Sequence, residues 1–428
     1  MYKFLIIIAS FLSMAVYGNE LKLEDTKAEN LDLDSQSVNY SNFQIVDSIT
    51  YQLYLTAKWT ELIKIAKIAE SKQLDFKRLR QRTGYAYFIS GDYYSAMAEY
   101  EAALTFDKSD LDTRLYLYYC GLYTANETYA NYEADFQTYE TKKLLGIKSF
   151  KIVDAIDFEY NFKVNDSQLR SNSTYYRLGI STKINNKISL YQSVSSYSQK
   201  LDSIGTQYNY LNRSHVTQNE YYGCLTWKPS SKFDILLAYH SISTKSIDSI
   251  SYTIPLINVS KTDTISQSEN MIFGKIAFKV NRFDFGLSSS FLFNNTNFIQ
   301  QYELQAGVTL PGTLILKLKS SFDVLIENNK GRLIYSQKIG FVPIKKVWIE
   351  GNVTFGDLNN FADMNGLYIL NSKDHTVFKT GITCFWNALN KVTLFANYGY
   401  DTKQLTGINN TIINYNQHSF SGGIIWKI

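Results

Sequence analysis

The sequence predicts two kinds of structure in one chain: a short α-helical array, then a transmembrane antiparallel β-barrel of about fourteen strands. Three observations carry this. The apolar run near the N-terminus is too short to span a bilayer. The apolar period switches from helical to two near residue 147. The joins between the two-periodic segments alternate between short and long, as barrel turns and loops do.

The bulk composition agrees. The chain has 428 residues, enough for two or three domains. Its net charge of +4 is too balanced to suggest nucleic acid as a partner. Tyr (34) and Phe (26) are abundant and Pro (4) is scarce, a balance that favours strands.

Met1-Tyr2-Lys3 carries positive charge, Phe4 to Val16 is apolar, and Val16-Tyr17-Gly18 offers a cleavage site. We read residues 1–18 as a signal peptide, against a buried N-terminal helix. No Cys lies nearby to anchor a lipoprotein, and no later apolar stretch is long enough for a membrane helix. An exported chain of this kind enters a membrane only by strands. Residues 19–42 are polar without period and are expected to form a flexible leader.

Residues 43–146 show apolar residues at helical spacing. In TGYAYFISGDYYSAMAEYEAALTFDKSD, the residues Gly84, Tyr87, Gly91, Tyr93, Ala96, Tyr100 and Ala103 stand where a tetratricopeptide repeat (TPR) has its signature. The segment resembles that family, with Lys108 replacing the usual Pro. One repeat length earlier, Trp59, Leu62 and Ala69 stand for Tyr93, Ala96 and Ala103; one length later, Ala130 stands for Ala96. One clear repeat between two degenerate ones is the reading, with an ordinary helical bundle as the alternative.

From residue 147 to 428 the period is two. In Arg282–Phe293 and Leu314–Val324 one face is apolar and the other polar. Short joins are expected at Asn185-Asn186, Lys228–Ser231, Val280-Asn281, Pro311-Gly312, Ile344–Lys346 and Asn387–Asn390. Longer polar joins are expected at 164–172, 199–214, 245–265, 357–374 and 403–414, with brief ones at 294–297 and 327–331. Twelve or sixteen strands are the alternatives to fourteen. So wide a barrel leaves more space than wall side chains fill, so its interior is expected to be wet. Arg177, Lys183, Arg282, Asp284, Lys317, Lys319, Asp323 and Glu350 are then assigned to the lumen, with the Phe, Leu and Tyr face against outer-membrane lipid.

SGGIIWKI, at the C-terminal end, is similar to the β-signal of bacterial outer-membrane proteins. Ser421, Gly423, Trp426 and Ile428 meet that pattern, which implies recognition by the barrel assembly machinery. This strand is expected to close the barrel by pairing with the first. The whole arrangement resembles the YaiO-type outer-membrane barrel family. That resemblance implies an outer-membrane location in a Gram-negative-type bacterium, with the repeats in the periplasm.

Three functions compete. The first is transport or export, with polysaccharide as a cargo by analogy to larger repeat-plus-barrel export proteins; inward aromatics such as Trp348, Phe385 and Phe395 would then stack on sugars or merely pack. The second is a closed anchor whose repeats hold an unknown periplasmic protein. The third, a lipid-modifying enzyme, needs a nucleophile beside one of His215, His240, His375 and His418, and none is surrounded by such a motif. Cys120, Cys224 and Cys384 are too far apart in sequence for a disulfide framework or a metal motif, and no cofactor fingerprint occurs. The chain reads as a non-enzymatic outer-membrane protein.

Overall fold

The computed structural model describes residues 39–428 except 125, 149, 206–209, 255–256, 281, 295–296, 311–315, 345, 390 and 407–410. The expected signal peptide, most of the leader and the Pro311-Gly312 turn lie outside the described residues.

Seven helices come first: α1 (Phe43–Leu55), α2 (Trp59–Ser71), α3 (Lys77–Ile89), α4 (Tyr93–Phe106), α5 (Leu111–Tyr123), α6 (Glu127–Asp135) and α7 (Tyr139–Leu144). Their starts follow from capping side chains. Asn42, Asp92, Asp110, Asn126 and Thr138 each accept a hydrogen bond from a first-turn amide of the helix that follows. Gly91, at φ +82°, lets α3 stop and α4 turn back. Ala96 and Ala103 are fully buried, and the ring of Tyr100 lies flat on Gly84, where a Cβ would stand 3.0 Å from it. Tyr93 stacks on Tyr123 at 4.7 Å, while Tyr87 is half-buried beside the same cluster. Cys120 is buried in that core, and burial pushes its thiol up to about 12.

The strands are β1 (Lys151–Asn165), β2 (Arg170–Lys183), β3 (Ile188–Gly205), β4 (Tyr210–Ser230), β5 (Phe233–Ile254), β6 (Ile257–Val280), β7 (Phe283–Phe293), β8 (Phe298–Leu310), β9 (Leu316–Glu327), β10 (Lys330–Ile344), β11 (Val347–Phe355), β12 (Phe361–Asp363), β13 (Tyr368–Leu370), β14 (His375–Leu389), β15 (Val392–Thr406) and β16 (Ile412–Lys427). All but β12 and β13 form one closed antiparallel barrel of fourteen strands. Closure is made by β1 and β16, in register from Ala155↔Lys427 to Asn165↔Gln417. The amide of Ile428 bonds the carbonyl of Asp154 at 2.9 Å. Gly423 is required at this seam: a Cβ would collide with the Phe158 carbonyl and the Phe395 ring.

Outward positions carry exposed apolar side chains, among them Phe158, Leu178, Leu237, Ile272, Leu287 and Leu304. Inward positions on the same strands carry Glu159, Arg177, His240, Ser290 and Gln305, which are buried. A closed barrel that is apolar outside and polar inside is the strand architecture that fits a bilayer.

Two expected loops are strand instead. Most of 199–214 and 245–265 extends β3, β4, β5 and β6, which run 18, 21, 22 and 24 residues. A strand that projects past the lipid no longer needs an apolar face, so its sequence looks like loop. Asn328 and Asn329, both at positive φ, make the two-residue turn between β9 and β10.

Candidate functional site

The interior that was expected to be wet is partly occupied by residues 356–374, between β11 and β14. This segment folds into the lumen, and β12 pairs only with β13 there. Its turn uses Met364, Asn365 and Gly366, all at positive φ. Leu358, Phe361 and Ala362 are buried against Met271, Phe273, Ile299, Leu325 and Ile334 of the wall. The protein's own chain occupies the middle of the barrel.

Polar contacts fasten this hairpin around the ring. Gln301 mimics a strand neighbour: its Oε1 accepts from the Ala362 amide at 2.9 Å, and its Nε2 donates to the Ala362 carbonyl at 3.1 Å. The same Nε2 donates to Asp323 at 2.9 Å. Tyr222 donates to the carbonyl of Asn365 at 3.0 Å, and His240 Nδ1 lies 2.8 Å from that of Gly366. Lys379 pairs with Asp363 at 2.8 Å. The Tyr368 hydroxyl donates to Glu159 at 2.6 Å, and Arg177 holds that same carboxylate at 2.9 Å. Arg170 grips Asp374 with two hydrogen bonds, 2.5 and 2.8 Å, and Tyr415 donates to Asp374 at 2.7 Å.

On the loop side of the hairpin lies a cavity of about 480 Å³. Its lining is mostly amide, phenol and charge, including Asn161, Lys163, Tyr197, Gln218, Glu269, Asp401, Lys403 and Gln417. This is the size of a small-molecule site.

The helical array sits on the opposite, short-turn rim. Glu101 meets Lys232 at 3.6 Å, Asp92 meets Arg282 at 3.6 Å, and Asn126 meets Lys279 at 3.4 Å. Asn131 accepts from Lys183 at 3.3 Å, and Asp135 accepts from Asn186. These are polar surface contacts, individually weak. Within the array, Arg114 pairs with Glu133 at 2.8 Å, both buried. Burial pushes the Glu133 carboxyl up to about 7, with Arg114 opposing that rise.

The eight charges assigned to the lumen therefore separate. Arg177 and Asp323 bind groups that hold the hairpin. Asp284, Lys317, Lys319 and Glu350 lie on the inward faces of β7, β9 and β11 toward the turn end. Lys183 and Arg282 are not lumen residues; they stand at the rim against the array, because alternation fixes a residue's face but not its depth. Trp348 packs over Gly340, and Phe385 meets Phe395 at 5.9 Å. His418 faces outward beside Tyr398. Arg170, Asp374 and Tyr415, which the sequence reading did not single out, lie far apart in the chain and no motif joins them.

No protein-family model matches the chain, and no curated protein sequence does. Among solved structures, the chain is similar to the toluene transporter TodX of P. putida at 6% identity and TM-score 0.43, covering 65% of this chain and 91% of that one. It is also similar to a Pseudomonas aeruginosa FadL homologue, at 8% identity and TM-score 0.41, covering 71% and 94%. The translocator domain of autotransporter NalP from Neisseria meningitidis gives 11% identity and TM-score 0.33, covering 65% and 89%.

Proposed function

We propose that this chain is an outer-membrane barrel of the transport type, closed at rest by its own hairpin, with the helical array over the periplasmic mouth. Short turns mark the periplasmic end of such barrels, and the array shares that end. The observation that carries the reading is how the hairpin is held. It is tethered only at its two ends, to β11 and β14, and many of its contacts are polar bonds that water can replace. One side of the hairpin packs on an apolar cluster, but its loop side is left facing a largely charged and amide-lined cavity of about 480 Å³ that a permanent core would have filled.

Proteoliposomes test the proposal. Vesicles holding a variant with residues 357–373 replaced by a short Gly-Ser linker should take up small polar solutes much faster than vesicles with the intact protein. Equal, negligible uptake by both would refute it.

A second reading has one observation in its favour. Tyr54, Trp59, Tyr85, Tyr116, Phe88, Tyr93 and Tyr123 form a continuous ladder of ring contacts across the array, and Tyr123 is exposed. Docking of an envelope protein on that ladder, with the barrel as anchor, would be supported if changing Tyr123 abolished binding of a defined partner while uptake stayed nil.

A further inference from the structure

Charge is not spread evenly around the loop-side cavity. One wall, on β15, β16 and β1 where the barrel closes, carries Lys163, Lys403 and Asp401. Lys403 and Asp401 are more than nine-tenths buried. Among the described residues Lys403 bonds only the Ser372 hydroxyl, at 3.0 Å. Lys163 and Asp401 make no direct hydrogen bond or ion pair there, although Asp401 lies near enough to act on both lysines. Glu159 and Asp374 also reach the lining here, but Arg177 and Arg170 already hold them, so two ammonium groups against the one remaining carboxylate leave this wall one positive charge in excess. Buried lysines without a carboxylate partner are rare, because desolvation of the charge goes uncompensated.

The facing wall, on β4, β5 and β6, has the opposite sign. Glu220, with His240 3.3 Å away, and Glu269 stand at one level, and Asp248 stands six residues nearer the loop end. Lys373 is the one lysine or arginine beside them among the described lining residues. Between the two walls the lining is rich in amides, including Gln199, Gln218 and Gln267. Two further acceptors, Asn161 Oδ1 and Gln417 Oε1, are buried with no hydrogen-bond partner. A buried acceptor left unmade costs about 1–3 kcal/mol unless water or a ligand donor fills it.

Resting on the transport reading above, we propose that this cavity binds a short peptide, with its C-terminal carboxylate at Lys163 and Lys403 and its N-terminal ammonium at Glu220 and Glu269 on the facing wall. Peptide N–H groups then supply donors for Asn161 and Gln417, and the glutamine amides match the alternating donors and acceptors of a peptide backbone. A neutral sugar leaves the excess charge on both walls unanswered. A simple anion answers one wall and is repelled by the other.

Calorimetry on the full-length protein in nanodiscs tests this, using trialanine, N-acetyl-trialanine, trialanine amide, a random tripeptide pool and maltotriose. Free tripeptides should bind saturably, and blocking either end should weaken binding at least tenfold. Lys403→Met should abolish the difference between the free and amidated peptides, and Glu269→Gln should reduce that between the free and acetylated ones. Should Lys403→Met lose the heat-modifiable mobility of a folded barrel, Lys163→Met provides the same test. No binding by trialanine or the pool, binding that ignores end-blocking, or binding of maltotriose alone would each overturn the proposal. The transport reading would survive such a failure if the linker variant still admitted solutes.

Discussion

Removing Asp374 should loosen the hairpin measurably. Asp374 lies where the lumenal segment rejoins β14, and its carboxylate receives two bonds from Arg170 and one from Tyr415. Arg170 and Asp374 are only 2% and 7% exposed at their side chains. Asp374→Ala would strand the guanidinium with the carbonyls of Leu169 and Asp202 and leave Tyr415 unpartnered. Breaking one partner of a buried pair costs about 3–5 kcal/mol. Asp374 lines the adjoining cavity, which has room for water to reach the stranded charge, so the lower end applies. At tenfold per 1.4 kcal/mol, about 3 kcal/mol raises the displaced fraction roughly 100-fold. A native reporter exists: the thiol of Cys224 is buried in the same cluster as Leu358 and Phe361. In a background carrying Cys120→Ser and Cys384→Ser, its reaction with a membrane-impermeant maleimide reads displacement. A labelling rate within threefold of the parent would show that this pair does not hold the hairpin.

Three further outcomes follow from named contacts. Gly423→Val should sharply lower the fraction of heat-modifiable, folded barrel, whereas Gly422→Val, with its Cβ 3.6 Å from the nearest backbone oxygen, should fold; equal yields would contradict the seam geometry. Gly121→Val should destabilise the array by about 1–3 kcal/mol, since a Cβ there already meets the Ala130 amide nitrogen at 2.7 Å; urea unfolding followed by helical circular dichroism measures it. Glu133 titrates at about 7 in the folded array against 4.5 in a free chain, so the fold holds its proton more tightly. Its contribution is then fully present below pH 4.5 and lost as pH rises through about 7, and Glu133→Gln should flatten that decline.

The parts of this fold that were legible in sequence are those where one face meets a different medium from the other. Leu316, Leu318, Phe322 and Val324 had to alternate with Lys317, Lys319 and Asp323, because lipid lies on one side and polar groups on the other. The paired helices were legible for a similar reason, since Gly84, Ala96 and Ala103 must be small for helices to touch. The hairpin was not legible because Phe361–Asp363 and Tyr368–Leu370 are three residues each, too short to show a period of two, and neither has a fully exposed face. One local signal was present: Asn365-Gly366 between two apolar runs marks a tight turn. The site itself was hidden because Lys163, Asp401 and Lys403 meet only when β16 closes against β1. No spacing along the chain records that meeting.

The claim that the hairpin closes the barrel is tested most directly by single-channel recording in planar bilayers. The account predicts that the full-length protein is silent and that the variant with 357–373 replaced by a Gly-Ser linker shows steady, long-lived conductance. Steady conductance from the full-length protein, or silence from a folded linker variant, would contradict it.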